Sequence, residues 1–168
     1  TLVATVMSNM GLERYVAGQA INLLRSAVSD RYVVEAMRNQ GYNLGVEQSG
    51  HVVMTDFVTT GDGLIAALQF LSAMIKSGQP ASVLAGVFEP LPQKLENVRF
   101  KKGTHPLETA AVKQAIAEGE ASMGSKGRLL IRNSGTEPLI RVMGECEDPA
   151  LLERGVGAIA SAVRTAVW

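Results

Sequence analysis

The sequence has 168 residues, of which 46% are hydrophobic and 19% are charged, and its 16 basic residues balance 16 acidic ones. A chain without net positive charge lacks the basic surface that supplies most non-specific affinity for nucleic acids, so no nucleic-acid partner is expected. No apolar run approaches the roughly 20 residues of a membrane-spanning helix, so no membrane partner is expected either. The composition fits one globular domain or two small ones.

The one cysteine, Cys146, limits the redox chemistry of the chain. A single thiol forms no internal disulfide, and a thiolate-built zinc site needs several sulfur ligands at close spacing. A reducing cytoplasm is therefore the expected location. Residues 2–7 have the pattern of a buried strand that begins without a preceding loop or cap, which predicts that the chain is a fragment of a longer protein.

Strand and helix signals alternate over the first half of the chain, which favours an α/β architecture. The predicted elements are, in chain order, a strand at 2–7, a helix at 9–18, a strand at 21–27, a helix from 29 or 30 to 41, strands at 42–47 and 51–56, a helix at 63–78 and a short helix from 82. Residues 21–27 are also compatible with a continuing helix. Asp62 stands alone in its loop, too few oxygen ligands for a Mg²⁺ or Ca²⁺ site, and is interpreted as the cap of the long helix.

Two prolines at 90 and 92 mark the predicted boundary between residues 1–89 and 90–168, because proline removes a backbone donor and restricts the residue before it. The predicted elements that follow are a strand at 95–100, a helix capped by Thr104 and opened by Pro106 that runs to about Ala121, a hairpin at 128–132 and 139–145, and a final helix from Pro149. This order predicts a small two-layer α+β domain with a mainly antiparallel sheet.

The segment 132–141 contains several groups that can bind a ligand. Two hydroxyls and a glycine lie in a tight loop between two arginines. Successive backbone amides form a concavity for anions, and guanidinium groups match phosphate oxygens. The same residues also suit a solvated surface turn, since Asn, Ser and Gly are common in turns. The residues alone leave both interpretations open.

A second polar segment, 45–51, places Glu47, Ser49 and His51 around a turn between two strands. A carboxylate accepts hydrogen bonds from neighbouring sugar hydroxyls, and a histidine that titrates near neutrality can transfer a proton. The alternative is an ordinary hairpin in which Glu47 is solvated and His51 makes a structural hydrogen bond. His105, which precedes a helix-opening proline, is interpreted as a surface residue.

These segments together resemble a known family. Residues 132–143 resemble the C-terminal phosphate-binding signature of the α-D-phosphohexomutase superfamily, and residues 47–51 resemble the sugar-specificity loop of its third domain. Residues 7–13, 30–33 and 59–63 resemble neighbouring segments of that domain. The resemblance covers essentially the whole chain, and it implies an incomplete three-layer α/β domain followed by the two-layer domain.

The resemblance also implies an activity. Members of the superfamily have four domains and interconvert sugar 6-phosphates and 1-phosphates through a bisphosphate intermediate, with a phosphoserine in the first domain and Mg²⁺ bound in the second. This chain is therefore expected to be the substrate-binding part of such an isomerase, acting on glucosamine phosphates for cell-wall precursor synthesis. Alone it is expected to bind no Mg²⁺ and to have no turnover. Its expected partners are the phosphosugar, the missing N-terminal domains and, through exposed core surface, a second copy.

The resemblance assigns roles residue by residue. The residues expected to bind the substrate phosphate are Arg132, Ser134, Gly135, Thr136 and Arg141. Glu47 and Ser49 are expected to bind the sugar, and His51 matches a residue with an acid/base role. No residue is expected to bind a metal.

Two positions depart from the family pattern, since Val46 and Ser29 stand where the family usually has glycine. Both could constrain loops that normally use the conformational freedom of glycine.

Two other functions stay open at this point. The chain could belong to a mutase of mannose or glucose phosphates, or it could be a stand-alone phosphosugar-binding module.

Overall fold

The computed structural model describes residues 1–101, 103–135 and 137–166. The chain divides into two compact units, Thr1–Pro90 and Leu91–Trp168. The predicted fold class is confirmed: both units combine helices with a sheet, and the sheet of the second unit is antiparallel. Within the described residues, no helix is both long enough and apolar enough to cross a membrane.

The first unit is built on a sheet with the strand order β2-β1-β3-β4, in which β1 runs parallel to β2 and β3, and β4 runs antiparallel to β3. Its elements are β1 (Leu2–Thr5), α1 (Met10–Gly18), β2 (Leu23–Ser26), α2 (Asp30–Gln40), β3 (Leu44–Val46), β4 (Val52–Met54), α3 (Gly63–Ser77) and α4 (Ala81–Ala85). The parallel strands are joined through α1 and α2, as parallel pairing requires.

A small core lies between the sheet and α2, where Val3 and Val53 pack with Val33 and Met37. The predicted cap of α3 is confirmed, because Asp62 Oδ1 accepts hydrogen bonds from the backbone amides of Leu64 and Ile65 at 2.9 and 3.0 Å. These bonds satisfy amides that the first turn of a helix leaves without partners.

The second unit has the strand order β5-β7-β6, with both pairs antiparallel. Its elements are β5 (Gln93–Arg99), α5 (Ala110–Met123), β6 (Gly127–Asn133), β7 (Leu139–Cys146) and α6 (Pro149–Ala166). Residues from the sheet and both helices form one core, including Val112, Ile140, Val142 and Ile159. The predicted hairpin is confirmed as β6 and β7.

The predicted start of α5 was wrong. Pro106–Glu108 forms a separate 3₁₀ turn, and α5 begins at Ala110 after Thr109, whose extended backbone (φ −69°, ψ 145°) interrupts the helical path. Thr109 is the true cap, because its Oγ1 accepts a hydrogen bond from the amide of Val112 at 3.4 Å. Thr104 instead donates its hydroxyl hydrogen bond to the carbonyl of Lys101 at 2.7 Å.

Candidate functional site

The turn between β3 and β4 brings Glu47, Ser49 and His51 together. Ser49 Oγ lies 2.9 Å from Glu47 Oε2 and 2.9 Å from His51 Nδ1, and Glu47 Oε2 lies 3.5 Å from His51 Nδ1. The hairpin backbone sets this spacing, because the Glu47 amide donates to the His51 carbonyl and the Gly50 amide donates to the Glu47 carbonyl, both at 2.9 Å.

The three side chains differ in accessibility. Glu47 keeps 11% of its side chain exposed, whereas His51 keeps 56%. If the Ser49 hydroxyl donates to the carboxylate, its oxygen is free to accept a hydrogen bond from His51 Nδ1–H. The cluster therefore contains a hydrogen-bonded carboxylate, a hydroxyl and an accessible imidazole. All three groups can form hydrogen bonds to sugar hydroxyls.

Ser29, the residue before α2, reaches this cluster through its backbone. Its amide donates a hydrogen bond to Glu47 Oε1 at 3.0 Å, so the two oxygens of the carboxylate have separate partners. Val46 lies within β3 and pairs with Ala4 and Val52, a regular extended setting that suits a β-branched side chain. Of the two positions that depart from the family glycines, only Ser29 has a backbone conformation that favours glycine.

The second unit places Arg132 and Arg141 directly opposite each other on β6 and β7. Their neighbours Ile131 and Val142 belong to the core beneath the helices. Because side chains alternate between the faces of a strand, both arginines project from the face opposite the helices. The structure therefore brings together the two cations that the sequence placed at the ends of the loop.

Two like charges in such a pair destabilise a sheet unless an anion compensates them. Burial lowers the pKa of Arg132, and the charge of Arg141 lowers it further. No acidic side chain in the described ranges forms an ion pair with either arginine, and the buried Nε of Arg141 has no hydrogen-bond partner there. The pair has the chemistry of an anion-binding site.

The loop between the arginines is closed by backbone hydrogen bonds. The Ser134 amide donates to the Leu139 carbonyl, and the Leu139 amide donates to the Glu137 carbonyl, both at 2.8 Å. Gly135 is exposed, with open space where a side chain would stand. Thr136, which was predicted to bind phosphate, lies outside the described residues.

A cleft of about 450 Å³ lies beside this loop, lined by Ser134 and Gly135 on one side and by residues of the segment 103–108 on the other. Leu107 lines the cleft and also packs against the core of the second unit. Arg132 and Arg141 are not among the residues that line it. His105 was interpreted as a surface residue, and it is an exposed residue of this cleft.

The sequence analysis missed a buried carboxylate on the same face as the arginines. Glu145 has no exposed surface, and it accepts hydrogen bonds from Gln93 Nε2 and Arg128 Nε, each at 2.8 Å. The sequence gives little sign that Glu145 is buried, because it alternates with core residues along β7. A solvent-exposed glutamate on the outer face of the sheet would show the same alternation. The ion pair between Glu145 and Arg128 is the kind of charge compensation that no acidic side chain of the described residues gives Arg132 or Arg141.

The described residues include no group of three or more His, Cys, Asp or Glu side chains that could hold a metal ion. A Mg²⁺ ion needs several oxygen ligands, which proteins supply mostly as carboxylates. The described part of the chain therefore does not fit a Mg²⁺ site.

Comparison with known proteins identifies relatives of both units. A family model described as phosphoglucomutase/phosphomannomutase, alpha/beta/alpha domain III, matches residues 1–91, and one described as phosphoglucomutase/phosphomannomutase, C-terminal domain, matches residues 95–162. Phosphoglucosamine mutases from Ruegeria pomeroyi and Roseobacter denitrificans are 63% and 62% identical to the chain over 166 residues. These alignments cover 99% of the chain and 37% of each relative, so the chain spans little more than a third of their length.

Solved structures share the fold at low sequence identity. The N-acetylphosphoglucosamine mutase of Aspergillus fumigatus, solved with GlcNAc-6P and magnesium, aligns with a TM-score of 0.74 and 17% identity over 97% of this chain and 41% of its own. An N-acetylglucosamine-phosphate mutase in its substrate complex aligns with a TM-score of 0.74 and 21% identity over 96% of this chain and 38% of its own. At these identities the likeness shows the fold alone.

Proposed function

Because the chain belongs to the phosphoglucomutase/phosphomannomutase family, we propose that it is the substrate-binding part of an isomerase that interconverts glucosamine 6-phosphate and glucosamine 1-phosphate. The identity of 60 to 63% to proteins named phosphoglucosamine mutase supports this substrate over other hexose phosphates. The domains that would complete the enzyme are among the chain's proposed partners, since the relatives are longer.

In this proposal the second unit binds the phosphoryl group that is not reacting. The observation that carries it is the opposed pair Arg132 and Arg141, which has no carboxylate partner among the described residues. Guanidinium groups bind phosphate oxygens through paired, charge-assisted hydrogen bonds. Ser134 and Gly135 would add donors from the loop that joins the two strands.

The first unit binds the sugar. Glu47 and Ser49 would accept and donate hydrogen bonds to its hydroxyl or amino groups, and the accessible His51 would move a proton to or from one of them. Binding of these non-reacting groups positions the reacting end of the substrate. The phosphoryl transfers through a bisphosphate intermediate would use groups of the other domains.

The phosphate part of the proposal is tested by calorimetric titration of the chain with glucosamine 6-phosphate. We expect Arg132→Ala and Arg141→Ala each to weaken binding tenfold or more, since a charge-assisted hydrogen bond contributes about 1.5–3 kcal/mol. The control is Arg154→Ala, which removes an exposed arginine of α6 and is expected to change affinity less than twofold. Equal affinity of all three variants and the parent chain would refute the assignment.

The same titration with glucose 6-phosphate and mannose 6-phosphate tests the substrate. The family description names phosphoglucomutase and phosphomannomutase, so these sugars are the relevant competitors. We expect glucosamine 6-phosphate to bind most tightly and the chain alone to show no isomerase turnover with Mg²⁺ and a sugar bisphosphate present. Turnover by the isolated chain would show that it is more than a substrate-binding part.

A further inference from the structure

The backbone of Ser29 has an unusual conformation. Its φ of 130° and ψ of 141° lie in a region that side chains with a Cβ rarely adopt and that glycine adopts easily. Such residues persist only where surrounding contacts hold them, and they concentrate at functional sites. The contacts of Ser29 therefore indicate which neighbouring group its strained backbone positions.

Local and long-range hydrogen bonds hold Ser29, and its carbonyl accepts from the amides of Tyr32 and Val33 at 3.0 and 3.3 Å. Its hydroxyl makes local bonds at the start of α2, accepting from the Arg31 amide at 3.3 Å and donating to Asp30 Oδ1 at 3.2 Å. Its amide makes the long-range bond, to Glu47 Oε1 at 3.0 Å across 18 positions of the sequence. Because φ is the rotation about the N–Cα bond, the positive φ of Ser29 sets the direction of this amide relative to α2.

We propose that Ser29 is a positioning residue for sugar binding, whose strained backbone holds the Glu47 carboxylate in the orientation that receives the sugar. The carboxylate has one oxygen bound to the Ser29 amide and the other near the Ser49 hydroxyl, so it is fixed from two separate elements. A carboxylate held before the ligand arrives loses less conformational freedom on binding. This inference rests on the proposed function, because it assigns the positioning of a residue given there a sugar-binding role.

The contact itself is tested without ligand, by the proton chemical shift of the Ser29 amide in a ¹⁵N-labelled chain. An amide that donates to a carboxylate resonates downfield, so we expect Glu47→Gln to move the Ser29 amide proton upfield. The matched control is Glu35→Gln, the same change at an exposed position of α2, which we expect to leave it in place. An amide proton that does not respond to Glu47→Gln would refute the contact.

The positioning role is tested by two substitutions at Ser29 and two probes, glucosamine 6-phosphate and inorganic phosphate. Glycine adopts the observed φ freely and keeps the amide, so we expect Ser29→Gly to bind both probes within twofold of the parent chain. Valine disfavours this φ, so we expect Ser29→Val to bind glucosamine 6-phosphate about tenfold more weakly, while its affinity for inorganic phosphate is unchanged.

The outcomes separate this inference from the proposed function. Equal affinity of Ser29→Val and the parent chain for glucosamine 6-phosphate would overturn the positioning role, even if phosphate binding by the arginines is intact. A Ser29→Val chain that loses both probes would indicate general misfolding, and the inference would then stand or fall on the Glu47→Gln amide shift. A parent chain that binds neither probe would refute the proposed function and the ligand role of Ser29 with it.

Discussion

Gly45 shows how one missing side chain sets the distance between a helix and a sheet. A Cβ at this position in β3 would lie 2.4 Å from Met37 Sδ and 2.5 Å from Val33 Cγ1, both on α2. Real Cβ atoms do not approach other atoms so closely, so the side chains of Met37 and Val33, or α2 itself, would have to move. Because Gly45 precedes Glu47 by two residues, the same close packing places the carboxylate near the start of α2.

We expect Gly45→Ala to lower the free energy of unfolding by about 1–3 kcal/mol, because it overpacks the core between α2 and the sheet. Urea denaturation followed by circular dichroism measures the change. The matched control is Gly157→Ala in α6, where the new Cβ would have no neighbour within 4 Å apart from the adjacent residues and the backbone of its own helix. There we expect a gain of about 0.5–1 kcal/mol, because alanine has the higher helix propensity. Equal effects at the two glycines would contradict the packing argument.

At the level of elements, ion pairs join β5 to α6 across the second unit. Glu96 Oε2 lies 2.6 Å from Arg164 Nη2, and Lys94 Nζ lies 3.2 Å from Glu96 Oε1 and also contacts Glu153. Burial by itself raises the pKa of Glu96, but the hydrogen bonds from Arg164 and Lys94 lower it more, so the pKa lies below its ordinary value of 4.5.

This lowered pKa predicts a pH dependence of stability. A carboxyl group whose pKa is lower in the folded state stabilises the fold above its unfolded pKa, and this contribution is lost as the pH falls through the folded pKa. We therefore expect the unfolding temperature of the parent chain to fall more steeply below pH 4.5 than that of Glu96→Gln. Glu120→Gln, an exposed position of α5, serves as the control and should follow the parent chain. Parallel pH profiles for Glu96→Gln and the parent chain would refute the prediction.

The elements also show where local sequence patterns suffice. The predicted hairpin and the cap at Asp62 depend on residues that are neighbours in the sequence, and both are confirmed. The start of α5 was mispredicted because Thr104 and Thr109 both precede plausible helical residues. Pro106 is buried and Leu107 packs against the core of the second unit, which separates the 3₁₀ turn from the helix, and the sequence pattern does not contain that packing.

For the whole molecule, the apolar stripe of α3 is a departure from a closed core. Four apolar residues at helical spacing, Leu64, Leu68, Leu71 and Ile75, are between 50 and 83% exposed. Their periodicity predicts one apolar face, and the structure leaves that face accessible. Contiguous exposed apolar surface of this kind favours association between molecules, so a homo-oligomer stays a prediction for this chain.

We expect Ile75→Lys to reduce concentration-dependent self-association in analytical ultracentrifugation, because it places a charge at the most exposed position of the stripe, at its C-terminal end. Its free energy of unfolding should change by less than about 0.5 kcal/mol, since Ile75 is 83% exposed. Ala117→Lys adds the same charge at an exposed position of α5 and should leave association unchanged. A large loss of stability in Ile75→Lys would show that the stripe is part of the core.

The amino-acid sequence by itself determined the element types and the cap at Asp62, because these depend on periodicity and on hydrogen bonds between near neighbours, and its motifs indicated the family. Only the tertiary structure decided that Arg132 and Arg141 lie opposite each other without an acidic partner among the described residues, and that the Ser29 amide binds Glu47. These contacts depend on strand register and on the path of the chain between distant residues. The pattern of one segment cannot specify which group of another segment will lie beside it.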